Sequence, residues 1–176
     1  MAKNPIEPTL GNVVRDMITG YQGIAASRTE MLGGNVQYAV QPRVPDGKPN
    51  EFPEGMNLDA QTLEFVEEGL ANHVVAPPRN TVELGEEVED IVTGLKGRAV
   101  NRVIFINGCV YYNIQPEKET DKKTGLTVIP PREFLIQSRL KPVKPAPAAI
   151  VSNVAAQNLG RERAPGGPAT RAQRAS

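Results

Sequence analysis

The sequence of 176 residues has no tryptophan, one cysteine and one histidine. The single thiol, Cys109, excludes a disulfide within the chain. His73 has no second histidine and no nearby cysteine with which to build a metal site or a catalytic triad. Basic and acidic residues number 20 each, so net charge draws the chain neither to nucleic acid nor to a membrane surface. Aromatic residues make up only 5%, which favours small cores over one large core.

Long apolar runs are also missing. No stretch approaches the roughly 20 residues that a membrane-spanning helix needs, and the first nine residues lack the apolar segment of a secretory signal. We therefore expect a product made in, and soluble in, the cytoplasm. The glycines are spaced for turns rather than for a phosphate-binding loop, so no cofactor is predicted.

What the sequence does contain is a duplication. Residues 84–116 repeat residues 10–42 at a constant offset of 74, without a gap, and the two segments are identical at 14 of 33 positions. Shared composition does not produce such an ungapped match. The chain therefore contains two copies of one structural unit.

Each copy contains two turn signals. Thr19-Gly20 and Thr93-Gly94 predict tight turns between strands, because glycine adopts positive φ at little cost. Gly33-Gly34 and Asn107-Gly108 predict hairpins further along each copy. Each copy is therefore expected to be a series of short antiparallel strands.

The segment after each hairpin alternates between apolar and polar residues. Val36, Tyr38 and Val40 fall on one face of the first copy, which is typical of a strand with one buried face. Tyr38 and its equivalent Tyr112 are predicted to pack in the cores. Stacking on nucleic-acid bases is the alternative, but lysine and arginine do not alternate with these tyrosines as a base-stacking surface requires.

The two carboxylates shared by the copies are the candidates for acid–base chemistry. Asp16 and Asp90 each precede a Thr-Gly turn by a few residues, where a short carboxylate commonly accepts hydrogen bonds from the turn. We predict this structural role for both, and a buried or half-buried, unreactive Cys109. No catalytic, metal or cofactor residue is predicted, and the chain is expected not to be an enzyme.

The copies differ most in their first predicted strand. Asn12, Val13 and Arg15 of the first copy are replaced by Glu86, Glu87 and Glu89 of the second. Two units that face different neighbours would explain this change, and drift of a solvated surface is the alternative.

The domain organisation follows from the duplication and from the positions of proline and glycine. The predicted segments are an extended lead-in (1–9), a five-stranded unit (10–66), an extended linker (67–83), a second five-stranded unit (84–143) and an extended Pro/Ala/Arg-rich arm (144–176). The arm has four prolines and five basic residues against one acidic residue. This composition is typical of a segment that is disordered until it binds.

These residues resemble a known family. The pattern LGxxVxDxxTGxxGxAxxR followed by GxVxYxxQP is similar to that of short proteins encoded among the structural genes of tailed bacteriophages. The order of strands and turns resembles a small SH3-like barrel of the KOW or Tudor kind. The resemblance covers residues 10–66 well and residues 84–143 less well. It implies an all-β fold of two tandem SH3-like β-barrels, joined by the extended linker and followed by the extended arm.

The resemblance also implies a function. We predict a non-enzymatic structural protein of a tailed-phage virion, made in the host cytoplasm, that decorates or stabilises the capsid as part of a symmetric, multi-copy assembly. Its partner would then be the major capsid protein. A neck or tail adaptor of the virion is the first alternative. A KOW-type nucleic-acid-binding module is the second, although the neutral net charge argues against it for the barrels.

Partner contacts are predicted mainly in the arm. The apolar and basic residues expected to make them are Ile150, Val151, Val154, Leu159, Arg161, Arg163, Arg171 and Arg174. An extended arm adds buried area and backbone hydrogen bonds across a subunit boundary without a core of its own. The proline-rich loop at residues 43–55 is a second predicted contact.

Overall fold

The computed structural model describes residues 8–147. The fold is all-β, because strands make up 45% of these residues and no helix reaches seven residues. No helix in this part of the chain has the length and apolar character needed to cross a membrane. The seven residues before it and the arm residues after it, including the eight predicted contact residues, lie outside the described region.

The first repeat contains five strands. They are β1 (Val13–Asp16), β2 (Gln22–Met31), β3 (Val36–Gln41), β4 (Met56–Asp59) and β5 (Leu63–Glu67). All pairings are antiparallel and give the order β5-β1-β2-β3-β4. A 3-10 turn at Ala60–Thr62 separates the last two strands. The predicted loop at residues 43–55 lies between β3 and β4.

The second repeat has the same arrangement with one insertion. Its strands are β6 (Glu87–Asp90), β7 (Lys96–Phe105), β8 (Val110–Pro116), β9 (Glu119–Thr120), β10 (Thr127–Val128), β11 (Glu133–Ile136) and β12 (Leu140–Lys144). The antiparallel order is β12-β6-β7-β8-β11, with a 3-10 turn at Gln137–Arg139 before the last strand. The short β9 and β10 form a separate hairpin inside a polar loop, where the sequence did not predict strands.

The predicted glycine turns are confirmed. Gly20 and Gly94 have φ of 74° and 75°, in the left-handed region that disfavours other residues. In the first hairpin, Gly34 N donates to Met31 O at 2.8 Å and Met31 N donates to Asn35 O at 2.9 Å. These bonds define a three-residue loop that ends in a glycine bulge.

Two separate hydrophobic cores confirm the prediction of small cores. The first contains Val14, Ala25, Val36, Tyr38, Val40 and Leu63. The second contains Val82, Val88, Ala99, Val110, Tyr112, Ile114 and Leu140. The predicted alternation is therefore correct in both repeats. Val82 lies in the segment predicted as linker, yet it is fully buried and its carbonyl accepts a hydrogen bond from the Tyr112 hydroxyl at 2.8 Å.

One continuous sheet of ten strands joins the two repeats. The second half of β2 pairs antiparallel with the second half of β7, in a register centred on Thr29 and Val103. These two residues occupy the same position of the repeat at the offset of 74. A local two-fold axis therefore passes between them, and each repeat offers the same strand edge to the other. We call this pairing the seam.

The replaced residues of the first strand are not all on a solvated face. Asn12 and Val13 are buried, and the Asn12 amide donates to Glu68 O at 3.4 Å. In the second repeat, Glu87 forms an ion pair with Lys144 at 3.1 Å. Drift of a solvated surface is therefore the wrong explanation for Asn12 and Val13.

Candidate interaction site

The predicted contact loop at residues 43–55 is within the described region and is largely exposed. Phe52 is its most exposed apolar side chain, with 81% of its surface accessible. The Tyr21 hydroxyl donates to the carbonyl of Glu54, so this loop is attached to the first repeat at its end. The other predicted contact residues lie outside the described region.

Asp16 holds the first Thr-Gly turn, as predicted. Its Oδ2 accepts hydrogen bonds from Thr19 N at 2.9 Å and from Thr19 Oγ1 at 2.6 Å. These bonds, with the Thr19 hydroxyl contributing most, lower the pKa of the Asp16 carboxyl below its ordinary value. A carboxylate so occupied is a fixed part of the turn.

Asp90 does the same in the second repeat and gains a charged partner. Oδ2 accepts from Thr93 N at 3.2 Å and from Thr93 Oγ1 at 2.5 Å. Arg139 donates Nε to Oδ1 at 2.9 Å and Nη2 to Oδ2 at 2.5 Å. The Arg139 guanidinium first, and the Thr93 hydroxyl second, hold the pKa of Asp90 well below its usual range. The two hydrogen bonds from Thr93 confirm the structural role predicted for Asp90.

These two rigid turns carry exposed apolar side chains at their ends. The residues between the aspartate and the threonine are Met17 and Ile18 in the first repeat, and Ile91 and Val92 in the second. Their exposed fractions are 61%, 78%, 64% and 69%. We call these four residues the apolar tips.

The apolar tips form a repeated feature, because each pair occupies the same position of its repeat. Neighbouring exposed apolar side chains mark contact surfaces between proteins more often than single ones do. The sequence contained the signal, since bulky apolar residues inside a tight turn have no core to enter. The aspartate, threonine and glycine predict the turn itself, and the apolar pair between them is the part of the pattern that points to a contact.

The second repeat alone has an aromatic strip on the outer face of its sheet. Tyr111 stacks on Phe134 with ring centroids 4.8 Å apart and planes 14° apart. Phe105 meets Tyr111 edge to face at 5.8 Å and 83°. The strip consists of these three residues, which lie on β8, β11 and β7. The first repeat has Met31 and Gln37 at the positions of Phe105 and Tyr111, so it lacks the strip.

The seam contains a cluster of charges. Glu30 accepts a hydrogen bond from Arg102 Nε at 2.9 Å, and it also forms an ion pair with Arg28. The Arg102 side chain is only 12% exposed. The two arginines are equivalent at the offset of 74, but the equivalent of Glu30 is Ile104. One carboxylate therefore serves both arginines.

His73 and Cys109 are the two remaining candidate residues. His73 ends the 3-10 turn Ala71–His73, and Cys109 is half-buried after the second hairpin, as predicted. No group of three or more histidine, cysteine, aspartate or glutamate residues between residues 8 and 147 is placed to bind a metal ion. The apolar tips and the aromatic strip are thus the candidate interaction sites.

Comparisons of this chain with protein-family models, with curated proteins and with solved structures found no match.

Proposed function

We propose that this chain is a non-enzymatic structural protein of a tailed-phage virion, an accessory protein that decorates or stabilises the capsid. The motif resemblance supports the virion. The observation that carries the proposal of binding is the repetition of the apolar tips at equivalent positions of the two repeats. A protein that binds a lattice of identical subunits benefits from carrying the same contact twice.

Each repeat is proposed to be a small SH3-like barrel. Five antiparallel strands in the same order, a hydrophobic cluster of its own and a 3-10 turn before the last strand support this assignment for each repeat. The seam would then join the barrels edge to edge and fix the distance between the two pairs of apolar tips.

The free energy of binding at the apolar tips would come from burial of their apolar surface. Each tip offers two bulky side chains, and burying them contributes roughly 25 cal/mol for each Å² of apolar surface removed from water. The turns are already rigid, since Asp16 and Asp90 hold them, so little conformational entropy is lost on contact. One tip alone would bind weakly, and two tips on neighbouring subunits would bind together through their fixed spacing.

Co-sedimentation of the full chain with purified phage heads tests this proposal. The variant Ile18→Ser/Val92→Ser should lose more than about 10-fold of its affinity for heads. Both tips are weakened, and the gain in affinity from binding two subunits at once is lost with them. The control is Leu126→Ser, which alters an equally exposed apolar residue outside the tips. Wild-type binding of heads by the tip variant would contradict the role of the apolar tips.

The same experiment separates the virion alternatives. Binding of heads that persists at high salt supports decoration through apolar contacts, because salt screens charged contacts and not apolar ones. Binding to tails or necks alone would support the adaptor instead. Failure of the chain to bind heads, necks and tails would overturn the virion proposal.

The aromatic strip favours one second candidate function, a KOW-type nucleic-acid-binding module. Exposed aromatic rings can stack on bases, and each stacked base is worth about 1–3 kcal/mol. Single-stranded RNA and DNA should then bind with an affinity that falls steeply with salt, and Phe134→Ala should weaken the binding. Retention of affinity in Phe134→Ala would argue against a base-stacking role for the strip.

A further inference from the structure

Each repeat is completed by a strand–turn–strand segment, which we call its closing unit. The closing units are residues 56–67 and 133–144, and they are equivalent at a constant offset of 77. In each unit, a strand of four residues is followed by a 3-10 turn of three residues and a strand of five residues. Length and strand order therefore do not determine which unit completes which repeat.

The apolar residues that the closing units contribute to the cores are also the same. Leu63 and Leu140 are equivalent and are both buried. Leu58 and Leu135 are equivalent too, and both are partly buried against their cores. Gln137 is a buried residue that differs, since the first unit has alanine at that position. Apolar packing therefore distinguishes poorly between a repeat's own closing unit and the other one.

The charges on the facing strands are reversed between the repeats. In the first repeat, Arg15 of β1 lies opposite Glu64 of β5, and the two form an ion pair at 2.6 Å. In the second repeat, Glu89 of β6 stands at the position of Arg15, and Lys141 of β12 lies opposite it, at the position of Glu64. Each repeat therefore has one cross-strand pair of opposite charges, with the acid and the base on exchanged strands.

A second position makes the same distinction. Glu87 of β6 lies opposite Lys144 of β12, and the two form an ion pair at 3.1 Å. The Glu87 side chain is only 14% exposed, so water screens this pair less than it screens a fully exposed one. The equivalents in the first repeat are Val13 and Glu67, which lie opposite each other in register. At both positions, β5 is acidic and β12 is basic.

An exchange of closing units would place like charges opposite each other at three positions. Opposite charges on facing strands stabilise a sheet, whereas like charges directly opposite each other destabilise it. The like-charged pairs would be Lys141 with Arg15, Glu64 with Glu89, and Glu67 with Glu87. Three attractive pairs would thus be replaced by three repulsive pairs.

The ion pair between Arg139 and Asp90 does not contribute to this distinction. Asp16 stands at the position of Asp90 in the first repeat. Arg139 would therefore face a carboxylate in either repeat. The distinction depends on the three pairs of β1 with β5 and of β6 with β12.

We propose that the reversed charge pairs determine which closing unit completes which repeat, both within one chain and between chains that fold together. Tandem copies of one fold are prone to misassembly, because a segment of one copy fits the other. The reversal makes each closing unit attractive to its own repeat and repulsive to the other. It also explains why Glu89 replaces Arg15, since the neighbour that differs is the chain's own last strand. This role does not depend on the virion function.

Refolding of a full-length charge-reversal variant tests the proposal. Arg15→Glu/Glu64→Lys keeps a pair of opposite charges and the net charge, but it gives the first repeat the arrangement of the second. Two of the three like-charged pairs of the exchanged form then become attractive. After dilution from urea, at least about 3-fold more of this variant than of the wild type should be misassembled. Its denaturation midpoint should stay close to that of the wild type, because its own pair is kept.

Two measurements together detect misassembly. Exchange of closing units between chains gives dimers or larger species in light scattering. Exchange within one chain gives a second set of amide signals from β1 and β6 in nuclear magnetic resonance. A variant that refolds with one set of signals and as little dimer as the wild type would overturn the proposal.

Exchanging the charges of the second repeat as well should restore correct assembly. The added changes are Glu89→Arg/Lys141→Glu, with Lys96→Gln because Lys96 lies opposite Glu89 and its equivalent is Gln22. All three like-charged pairs then return in the exchanged form. The combined variant should therefore refold as the wild type does, and misassembly that persists in it would also contradict the proposal.

A reversed ion pair outside the closing units is the matched control. Lys48→Glu/Glu51→Lys exchanges an exposed pair 3.0 Å apart and keeps the net charge, so it should refold as the wild type does. If Arg15→Glu/Glu64→Lys does not fold, Glu89→Arg/Lys96→Gln/Lys141→Glu alone carries the same prediction. Failure of both to fold would overturn the proposal, because each reversed pair is required to keep its own closing unit attached.

Discussion

The two repeats have the same strand order, but the second encloses its core more completely than the first. Tyr112 and Val110 are 0% and 2% exposed, whereas their equivalents in the first core, Tyr38 and Val36, are 4% and 8% exposed. The second core also includes Val82 and a larger residue, isoleucine, where the first has valine. Since duplication, the buried positions have kept their chemical character while differing in how tightly they are filled.

The Thr-Gly turns also differ, and again the second repeat has the additional contact. Asp16 and Asp90 both hold their turns through a threonine, but only Asp90 has an arginine as a partner. At the offset of 77, the position of Arg139 is occupied by Thr62 in the first repeat, and its hydroxyl also lowers the pKa of Asp16. The second repeat is therefore expected to be the more stable half.

The comparison of cores is tested by truncating equivalent residues. Ile114→Ala should lower the free energy of unfolding by about 2–5 kcal/mol, because it removes three buried carbons and leaves a cavity. Val40→Ala removes two carbons and should cost less, by about 0.8 kcal/mol for the extra methylene. Chemical denaturation of both variants measures the difference. Equal losses would contradict the expectation that the second core is filled more tightly than the first.

The asymmetry of the seam can be exchanged between the repeats. Glu30→Ile leaves Arg28 and Arg102 without a carboxylate and should cost about 3 kcal/mol, since one partner of a largely buried ion pair is lost. Adding Ile104→Glu should recover at least half of the loss, because residue 104 pairs directly with Arg28 as Glu30 does with Arg102. Denaturation midpoints of the single and double variants measure the recovery.

A surface ion pair is the control for the seam. Lys48 and Glu51 lie 3.0 Å apart with both side chains more than half exposed, so Glu51→Ala should change the stability little. No recovery in the double variant would mean that the two sides of the seam are not equivalent.

The acid dependence of stability should distinguish the two aspartates. A carboxylate with a lowered pKa in the folded state stabilises the fold above the unfolded pKa of about 4, and this contribution is lost as the pH falls through the folded pKa. Asp90→Asn should therefore lower the stability most at neutral pH, and the difference from the wild type should shrink below about pH 4. Asp16→Asn should show the same trend with a smaller difference, because Asp16 has no arginine.

Urea denaturation from pH 7 to pH 3 tests the pair. A cost of Asp90→Asn that is independent of pH would indicate that lost packing, rather than lost charge, is responsible.

The smallest expected effect concerns the aromatic strip. Phe134→Ala removes the stacking partner of Tyr111 and should lower the stability by about 1 kcal/mol, the usual value of an aromatic pair beyond its buried area. Asn57→Ala, the equivalent change in the first repeat, should have almost no effect because no ring is stacked there. Thermal denaturation measures both. A neutral Phe134→Ala would suggest that the strip is kept for binding and not for stability.

Much of each repeat was predictable because local chemistry decides it. Gly20 and Gly94 have positive φ because the turn allows little else, and Tyr38 and Tyr112 are buried because alternation puts them on the apolar face. The structural role of Asp16 and Asp90 followed from their distance to the turn. In each case the deciding partner lies within a few residues in the sequence.

The seam was not predictable for the opposite reason. Arg28 and Glu30 in the second half of β2 suggest a solvated strand edge. Arg102, which forms the ion pair with Glu30, is 72 residues away in the sequence. The aromatic strip was missed because Tyr111 follows the face of the strand that alternation assigns to solvent. The functional role of the arm, from Ile150 onward, stays a prediction.

The seam has a consequence that two separate copies of the unit would not share. If the repeats were separate chains, they would pair only above a concentration set by their dissociation constant. Within one chain the link holds them at an effective concentration in the millimolar range, so pairing is unimolecular and does not weaken on dilution. A substitution also occurs once instead of twice, as the contrast between Glu30 and Ile104 illustrates. Fusion thus keeps a two-fold contact while releasing each half from having to match the other.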